Sequence, residues 1–397
     1  MSVTFPRGFR AAGVTAGMKA SGRPDLALLV GDRDCSAAGL FTTNAFAAAP
    51  VRLSRARLAS GTARAVLVNS GQANAATGPR GERDALEATA AAADLLGIAP
   101  GSVLACSTGV IGESLHMEQL LTALPPLVAA ASAQGGDAFA EGILTTDTKA
   151  KQAIAETATH RVGGAAKGVG MIAPDLQLAT MLAFVTTDAS VPPSHLGRLA
   201  AEALEPGFEA LTVDGCTSTN DTVLLLSSGA AGGDPVVPGT AAWGSLAAAC
   251  GEVGASLVEQ LAHDAEGANH VLLIDVTGAL DTEEASAAAR AVADSLLVKT
   301  AVFGGDPNPG RILQAVGSSG ASVIPGSVDA WIGDVQVIAA GTIPADMRGA
   351  GGERVRRALK ERDVRVRVRL GDGPGASRAL GVDLSYEYVR INAEYTT

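Results

Sequence analysis

The sequence predicts an α/β protein of two lobes, and three observations carry that expectation. Short apolar, β-prone runs such as Leu26–Val30, Ala65–Val68 and Met181–Thr187 alternate with alanine-rich stretches of helical length. At 397 residues, 47% of them hydrophobic and 18% charged, the chain is long for one core and sufficient for two. No internal repeat, low-complexity tract or linker separates the halves. Aromatic residues make up only 3%, so Ala, Val and Leu must fill the interior.

A turn-rich opening with Gly8, Gly13, Gly17 and Gly22 leads into the strand Leu26–Val30, and a second strand is expected near Leu40–Thr43. Ala65–Val68 enters the loop Asn69–Gly78, dense in Asn, Gly and Ser and therefore a specified turn. Asp84–Leu96 reads as a helix whose alanines allow close approach to a sheet. Val103–Cys106 is a strand running into Ser107–Gly112, STGVIG. A helix follows from Met117 to Leu124, where Pro125-Pro126 should interrupt it before a second piece reaching Ala133. After a short helix from Asp137 comes Thr145–Lys149, TTDTK, whose hydroxyls and carboxylate suit an N-cap or a pocket wall. Residues 151–166 read as a hairpin. The second half predicts helices over Pro192–Leu204, Gly239–His263 and Thr282–Leu297, and strands over Ala210–Val213, Thr222–Ser227 and His270–Val276. Lys299–Ile312 reads as a glycine- and proline-rich loop. Strands Val335–Ala339 and Val364–Leu370 flank a basic helix near Gly352–Glu361, and Tyr386–Thr397 reads as an alternating strand.

Composition excludes several function classes. A net charge of −11 argues against a nucleic-acid partner. The alternating VRVRVRL of Val364–Leu370 is a strand with one solvated face rather than a basic patch. Cys35, Cys106, Cys216 and Cys250 form no C-x-x-C pair, and free thiols fit a reducing cytoplasm. The five histidines show no metal-ligand spacing. The N-terminus lacks an apolar signal region, and no uninterrupted apolar run reaches the length of a membrane span. Two glycine-rich stretches, 163–170 and 299–312, suggest a nucleotide-binding alternative, but neither matches a phosphate-loop pattern.

The chain is organised around Lys167–Ala189, KGVGMIAPDLQLATMLAFVTTDA. Glycines at 168 and 170 permit close backbone approach, and Pro174 fixes φ. Met181–Thr187 is a buried strand by composition. On residues alone Thr180 is either the first residue of that strand or a rigidly held hydroxyl suited to nucleophilic attack. The stretch resembles the self-cleaving segment of the ornithine acetyltransferase (glutamate N-acetyltransferase) family of arginine biosynthesis, whose pattern is roughly KGxGMIxP, a spacer, ATML and a TTDA-like end. The resemblance runs from GMKASGRPDLALLV near the start to the terminal NAEYTT. It departs from the family in a spacer about two residues longer (Asp175–Leu178), in Cys216 where an aspartate is usual, and in Pro309 where tryptophan is usual.

The resemblance implies a layered α+β sandwich, two lobes with mixed sheets flanked by helices, of the ornithine acetyltransferase/DmpA-like type. It implies self-cleavage between Ala179 and Thr180, giving an α chain, 1–179, and a β chain, 180–397, that assemble as a heterotetramer of two of each. Thr180 then becomes the nucleophile, with its own α-amine as base. Thr108 and Gly109 carry over as oxyanion donors, and Thr145, Lys167, Thr180, Glu266, Asn392 and Thr397 as contacts to the amino-acid substrate. The implied reaction moves acetyl from N-acetyl-L-ornithine to L-glutamate through acetyl-Thr180, without a metal or cofactor; acetyl-CoA is left open as a second donor. The implied partners are these small molecules and the chain's own two fragments, with no nucleic acid or membrane. Two other readings use the same nucleophile: a secondary-metabolite acyltransferase, and an amidohydrolase or aminopeptidase in which water resolves the acyl-enzyme.

Overall fold

The computed structural model describes residues 2–173 and 181–394. The chain divides into two units, Met1–Phe208 with Cys216–Leu261, and Glu209–Gly215 with Ala262–Thr396. Each is built on its own mixed sheet.

The first unit carries β1 (Phe9–Val14), β2 (Leu26–Phe41), β3 (Thr62–Gln72), β4 (Val103–Val110), β5 (Lys151–Glu156), β6 (Arg161–Lys167), β7 (Leu182–Thr187) and β8 (Thr222–Ser227). Their order across the sheet is β4-β3-β2-β8-β7-β6-β5, with β1 paired to β2. The runs expected at Leu26–Val30 and Leu40–Thr43 are two ends of the one strand β2. A register shift between Val30 and Cys35 lets its first half pair with β3 and its second half with β8. β5 and β6 form the expected hairpin. β7 is buried along its length, as its composition demanded. Helix Gly78–Leu96 places Ala85, Ala88, Ala92 and Ala93 in the core. Helix Ala241–His263 is long and apolar enough, by length and composition alone, to cross a membrane. Here it buries Leu246, Cys250, Val253, Leu257 and Leu261 completely. The glycines of 163–170 serve this packing rather than a phosphate cradle. A Cβ on Gly163 would lie 2.0 Å from the Ser2 carbonyl oxygen, and one on Gly164 would lie 2.8 Å from Val253 Cγ1.

The expected break at Pro125-Pro126 does not occur: one helix runs Met117–Ala130. Two proline nitrogens donate no bond, but Leu120, Ala123, Leu124 and Leu127 bury one continuous apolar face. That packing outweighs the lost bonds.

The second unit carries β9 (Val271–Ala279), β10 (Asp329–Ile332), β11 (Val335–Ile338), β12 (Asp363–Arg369) and β13 (Gly375–Val382), in the order β11-β10-β12-β9-β13. β12 alternates as its sequence predicted, with Val364, Val366 and Val368 buried and the arginines outward. Ala210–Val213 forms only an isolated bridge, Leu211 to Leu380, rather than a strand. The helix expected over Thr282–Leu297 stops at Asp294, and Ser295 caps a second helix, Leu296–Phe303, by accepting the Val298 N–H. The expected loop Lys299–Ile312 is therefore largely helical, with Pro309 opening helix Gly310–Gly317.

Tyr386–Glu394 is a helix, not the expected strand. Ser385 Oγ accepts the Tyr388 N–H at 3.1 Å, and Arg390 bridges Glu387 and Glu394 at helical spacing. Tyr386 and Val389 are exposed, so the alternation marked no buried sheet face.

Candidate functional site

Parallel pairing of β3 with β4 sets Ser70 opposite Thr108 and Gly71 opposite Gly109. Gly109 has φ +130°, and a Cβ there would lie 2.3 Å from the Gly71 carbonyl carbon and oxygen. Only glycine fits, and the strand end therefore turns its backbone in a way other residues cannot follow. Thr108 is buried, and its Oγ1 accepts a hydrogen bond from Lys167 Nζ at 3.0 Å. Lys167 closes β6 opposite Leu182 of β7 and is itself buried. The STGVIG segment and the lysine of the organising stretch, 59 residues apart in sequence, thus meet through one hydrogen bond.

Asp147, the carboxylate of TTDTK, binds this cluster together. It accepts from the Thr145 N–H at 3.0 Å, from the Gly168 N–H at 2.8 Å, and from Lys151 Nζ. Burial would raise its carboxyl pKa, but the charges of Lys167 and Lys151 and the Gly168 N–H outweigh that and hold it well below the usual carboxylate range. Asp147 and Lys151 are both fully enclosed. On the other side, Lys19 Nζ donates to the carbonyls of Pro24 (2.7 Å) and Leu144 (2.6 Å), fixing the residue before Thr145. Burial, opposed by Asp25, pushes the Lys19 ammonium down to about 8.

Asn220 and Asp221, from DGCTSTNDT, join the site at the head of β8. Asn220 Nδ2 donates to the carbonyls of Ala73 (2.6 Å) and Ser107 (2.8 Å), so it holds the start of STGVIG. Asp221 Oδ1 accepts the Met181 N–H at 2.5 Å.

The second unit brings Glu266 and Asn392 together, with Asn392 Nδ2 donating to Glu266 Oε2 at 3.1 Å. Gly267, at φ +66°, lets the Tyr386–Glu394 helix pass close: a Cβ there would lie 2.3 Å from Tyr388 N.

Of the residues singled out in the sequence, Thr108, Gly109, Thr145 and Lys167 gather in the first unit, and Glu266 and Asn392 in the second. Ala179, Thr180 and Thr397 lie outside the described residues. Sequence reasoning missed Lys151, Asn220, Asp221 and Lys19. Lys151 had a signal, since it follows Asp147 by four residues; a lone Asn-Asp before a strand carries none. Among the described residues no group of three or more His, Cys, Asp or Glu side chains is placed to hold a metal.

Comparison with known proteins gives three findings. The family model described as the ArgJ family matches residues 10–397. The arginine biosynthesis bifunctional protein ArgJ of Parasynechococcus marenigrum (strain WH8102) is 47% identical over 401 residues, covering 100% of this chain and 95% of its own. That of Symbiobacterium thermophilum is 46% identical over 100% of this chain and 98% of its own. Among solved structures, a crystal structure of the ArgJ protein from Bacillus halodurans is 38% identical with a TM-score of 0.51, covering 53% of this chain and 98% of that one.

Proposed function

The chain belongs to the ArgJ family and is an N-acetyltransferase of arginine biosynthesis acting on small molecules; from that premise we propose that it moves acetyl from N-acetyl-L-ornithine to L-glutamate through an acetyl-Thr180 intermediate, after cutting itself between Ala179 and Thr180. The observation that carries this reading is the buried Lys167 Nζ–Thr108 Oγ1 bond beside a backbone that only glycine can adopt. It sets a hydroxyl, a cation and the Gly109 amide at one strand end, in the same unit as β7. Such groups suit the negative charge of a tetrahedral acyl intermediate.

The steps follow. Thr180 Oγ attacks the Ala179 carbonyl, the acyl group shifts from nitrogen to oxygen, and water opens the ester. Thr180 keeps a free α-amine, with a reference pKa of about 7.7–8.0, which can take the hydroxyl proton at working pH. N-acetylornithine then acetylates Thr180, ornithine leaves, and glutamate takes the acetyl group. Thr108 and Gly109 stabilise the oxyanion in each half-reaction. Thr145, Lys167, Glu266, Asn392 and Thr397 bind the amino acid, with Lys167 meeting its carboxylate and Glu266 its ammonium. No cofactor enters the scheme; acetyl-CoA as a second donor is tested by substituting it for N-acetylornithine. The assembly is two α and two β chains in the cytoplasm, which native mass spectrometry of the purified protein tests for stoichiometry.

A denaturing mass spectrum gives the first test. Two species, 1–179 and 180–397, are expected from the wild type and one full-length species from Thr180→Ala. T180A should also fail to transfer acetyl. Wild-type protein that stays one species, or T180A with full activity, refutes the proposal. Acetyl release without glutamate would replace it with a hydrolase.

A further inference from the structure

Glu266 and Asn392 come from two distant stretches of the second unit, and one hydroxyl ties those stretches together. Ser385 is 3% exposed and stands immediately before the helix Tyr386–Glu394. Its Oγ donates to the Gly267 carbonyl at 2.6 Å and accepts the Tyr388 N–H at 3.1 Å. The Tyr388 carbonyl accepts from Asn392 Nδ2 at 3.0 Å, and the same nitrogen donates to Glu266 Oε2 at 3.1 Å. Glu266 precedes Gly267 in the chain, so these contacts close a ring through Ser385, Tyr388, Asn392, Glu266 and Gly267. The ring settles the orientation of the Asn392 amide. A carbonyl oxygen and a carboxylate oxygen each need a donor, so both Nδ2 protons are spent inside the ring and Oδ1 is left as an acceptor.

The residues beside Ser385 are themselves pinned. Asp383, 2% exposed, accepts the N–H groups of Asn269 (2.8 Å) and His270 (3.0 Å) and meets His270 Nδ1 at 3.0 Å, which fixes the turn that follows Gly267. Lys299 grips the same segment from the other side: its Nζ donates to the Val382 carbonyl at 2.6 Å, and its carbonyl accepts the Leu384 N–H at 3.4 Å. A helix start alone asks for less than this. An N-cap oxygen needs only to accept an N–H of the first turn. Donation to a carbonyl 118 residues away does nothing for the helix and everything for the spacing between Glu266 and Asn392. We propose that Ser385 is a positioning residue for the amino-acid substrate, holding the Glu266 carboxylate and Asn392 Oδ1 as two acceptors at one place, a combination that suits an ammonium group. This rests on the reading above that Glu266 and Asn392 contact the substrate. Ser385 acts through Asn392 and Gly267 and touches no substrate itself.

The test compares wild type, Ser385→Gly, Ser385→Ala, Asn392→Ala and the double variant S385G/N392A by melting temperature and by kcat and KM for N-acetylornithine in acetyl transfer. Glycine at an N-cap costs a helix little, whereas alanine costs it more. S385G therefore removes the bond to Gly267 while sparing the helix start. S385G should raise KM roughly three- to tenfold with kcat within about twofold of wild type. S385A should do the same with a lower melting temperature. N392A should raise KM at least as far, and S385G/N392A should be no worse than N392A, because a residue that acts through Asn392 has nothing left to position. S385G with wild-type KM, beside an N392A that raises it, overturns the proposal and leaves the reading of Asn392 intact. A double variant in which the two increases multiply also overturns it. N392A with wild-type KM overturns that reading and the proposal with it. If S385G does not fold, S385A and S385A/N392A decide by the same comparisons.

Discussion

Asp147→Asn tests whether the polar cluster is held by charge or only by shape. The amide keeps the size of the side chain and can still accept one hydrogen bond, but it cannot balance two ammonium groups. Lys151 is fully enclosed beside it, and the charge of Lys167 also bears on it. Removing one partner of a buried pair costs about 3–5 kcal/mol, because the remaining charge has no water to turn to. At about 2–4 °C per kcal/mol for a unit of this size, melting should fall by roughly 6–20 °C. The pH dependence has a definite sign. The folded carboxyl ionises below its reference of 3.8, so its stabilisation is full above that value and is lost as pH falls through the folded one. D147N should therefore flatten the acid side of the stability curve below about pH 4. Scanning calorimetry across pH 3–8 on wild type, D147N and D147N/K151M gives all three readings. The double variant removes the stranded ammonium and should recover part of the loss. D147N melting within about 2 °C of wild type, or a double variant no better than the single, would refute the account.

Other outcomes follow from individual positions. If Gly109 is the oxyanion donor proposed above, Gly109→Ala should lower kcat about a hundred- to a thousandfold with KM little changed, measured by steady-state acetyl transfer. Lys299 is buried and donates to the carbonyls of Val213 (2.7 Å) and Val382 (2.6 Å); burial, opposed by Asp294, Asp214 and Asp383, pushes its ammonium down to about 8. Between that value and its reference of 10.5 the unfolded chain binds more protons, so stability should rise with pH across this window in urea titrations. Lys299→Met should abolish the rise and cost roughly 2 kcal/mol at pH 7. Gly267→Ala, which would push Tyr388 away, should separate Asn392 from Glu266 and raise KM for N-acetylornithine more than it lowers kcat.

Legibility in the sequence followed the range of the interaction. β7, β8 and β12 were readable because burial on one or both faces imposes a short-range pattern. β1, β10 and β13 were not, because four- to eight-residue stretches such as FRAAGV, DAWI and GASRALGV owe their pairing to β2, β12 and β9 rather than to composition. The helix through Pro125-Pro126 and the C-terminal helix were misread for opposite reasons. In the first, tertiary packing overrides a local breaker. In the second, a Ser385 cap and arginine–glutamate spacing decide the matter where no face is buried. Within the site, Thr108 and Lys167 came from motif resemblance, whereas Asp147, Lys151 and Asn220 act through contacts across 4 to 147 residues of sequence, and those of Asn220, the longest, left no trace in spacing.

The sheet order also bears on whether the fold would survive the proposed cut in its backbone. A cut between residues 179 and 180 would fall between β6 and β7, which are neighbours, so it severs a connection and not a ladder. β7 and β8, the strands after the cut, lie inside the sheet rather than at its edge. β8 pairs with β2 from Ser36–Ser227 to Phe41–Thr222, and β7 pairs with β6 from Val162–Thr187 to Lys167–Leu182. To separate the fragments, both ladders must break and Phe184, Leu224 and Leu226 must leave a core they share with Leu29, Val66 and Leu104. Such a rupture is global unfolding rather than dissociation, so pieces made by the proposed cut would stay together without any covalent link. The same arrangement would let a terminus form at the proposed cut without loosening the sheet: Met181 is held by Asp221 through its N–H and by Thr222 through its carbonyl. The backbone that would carry the nucleophile is fastened to the sheet by bonds that scission does not touch.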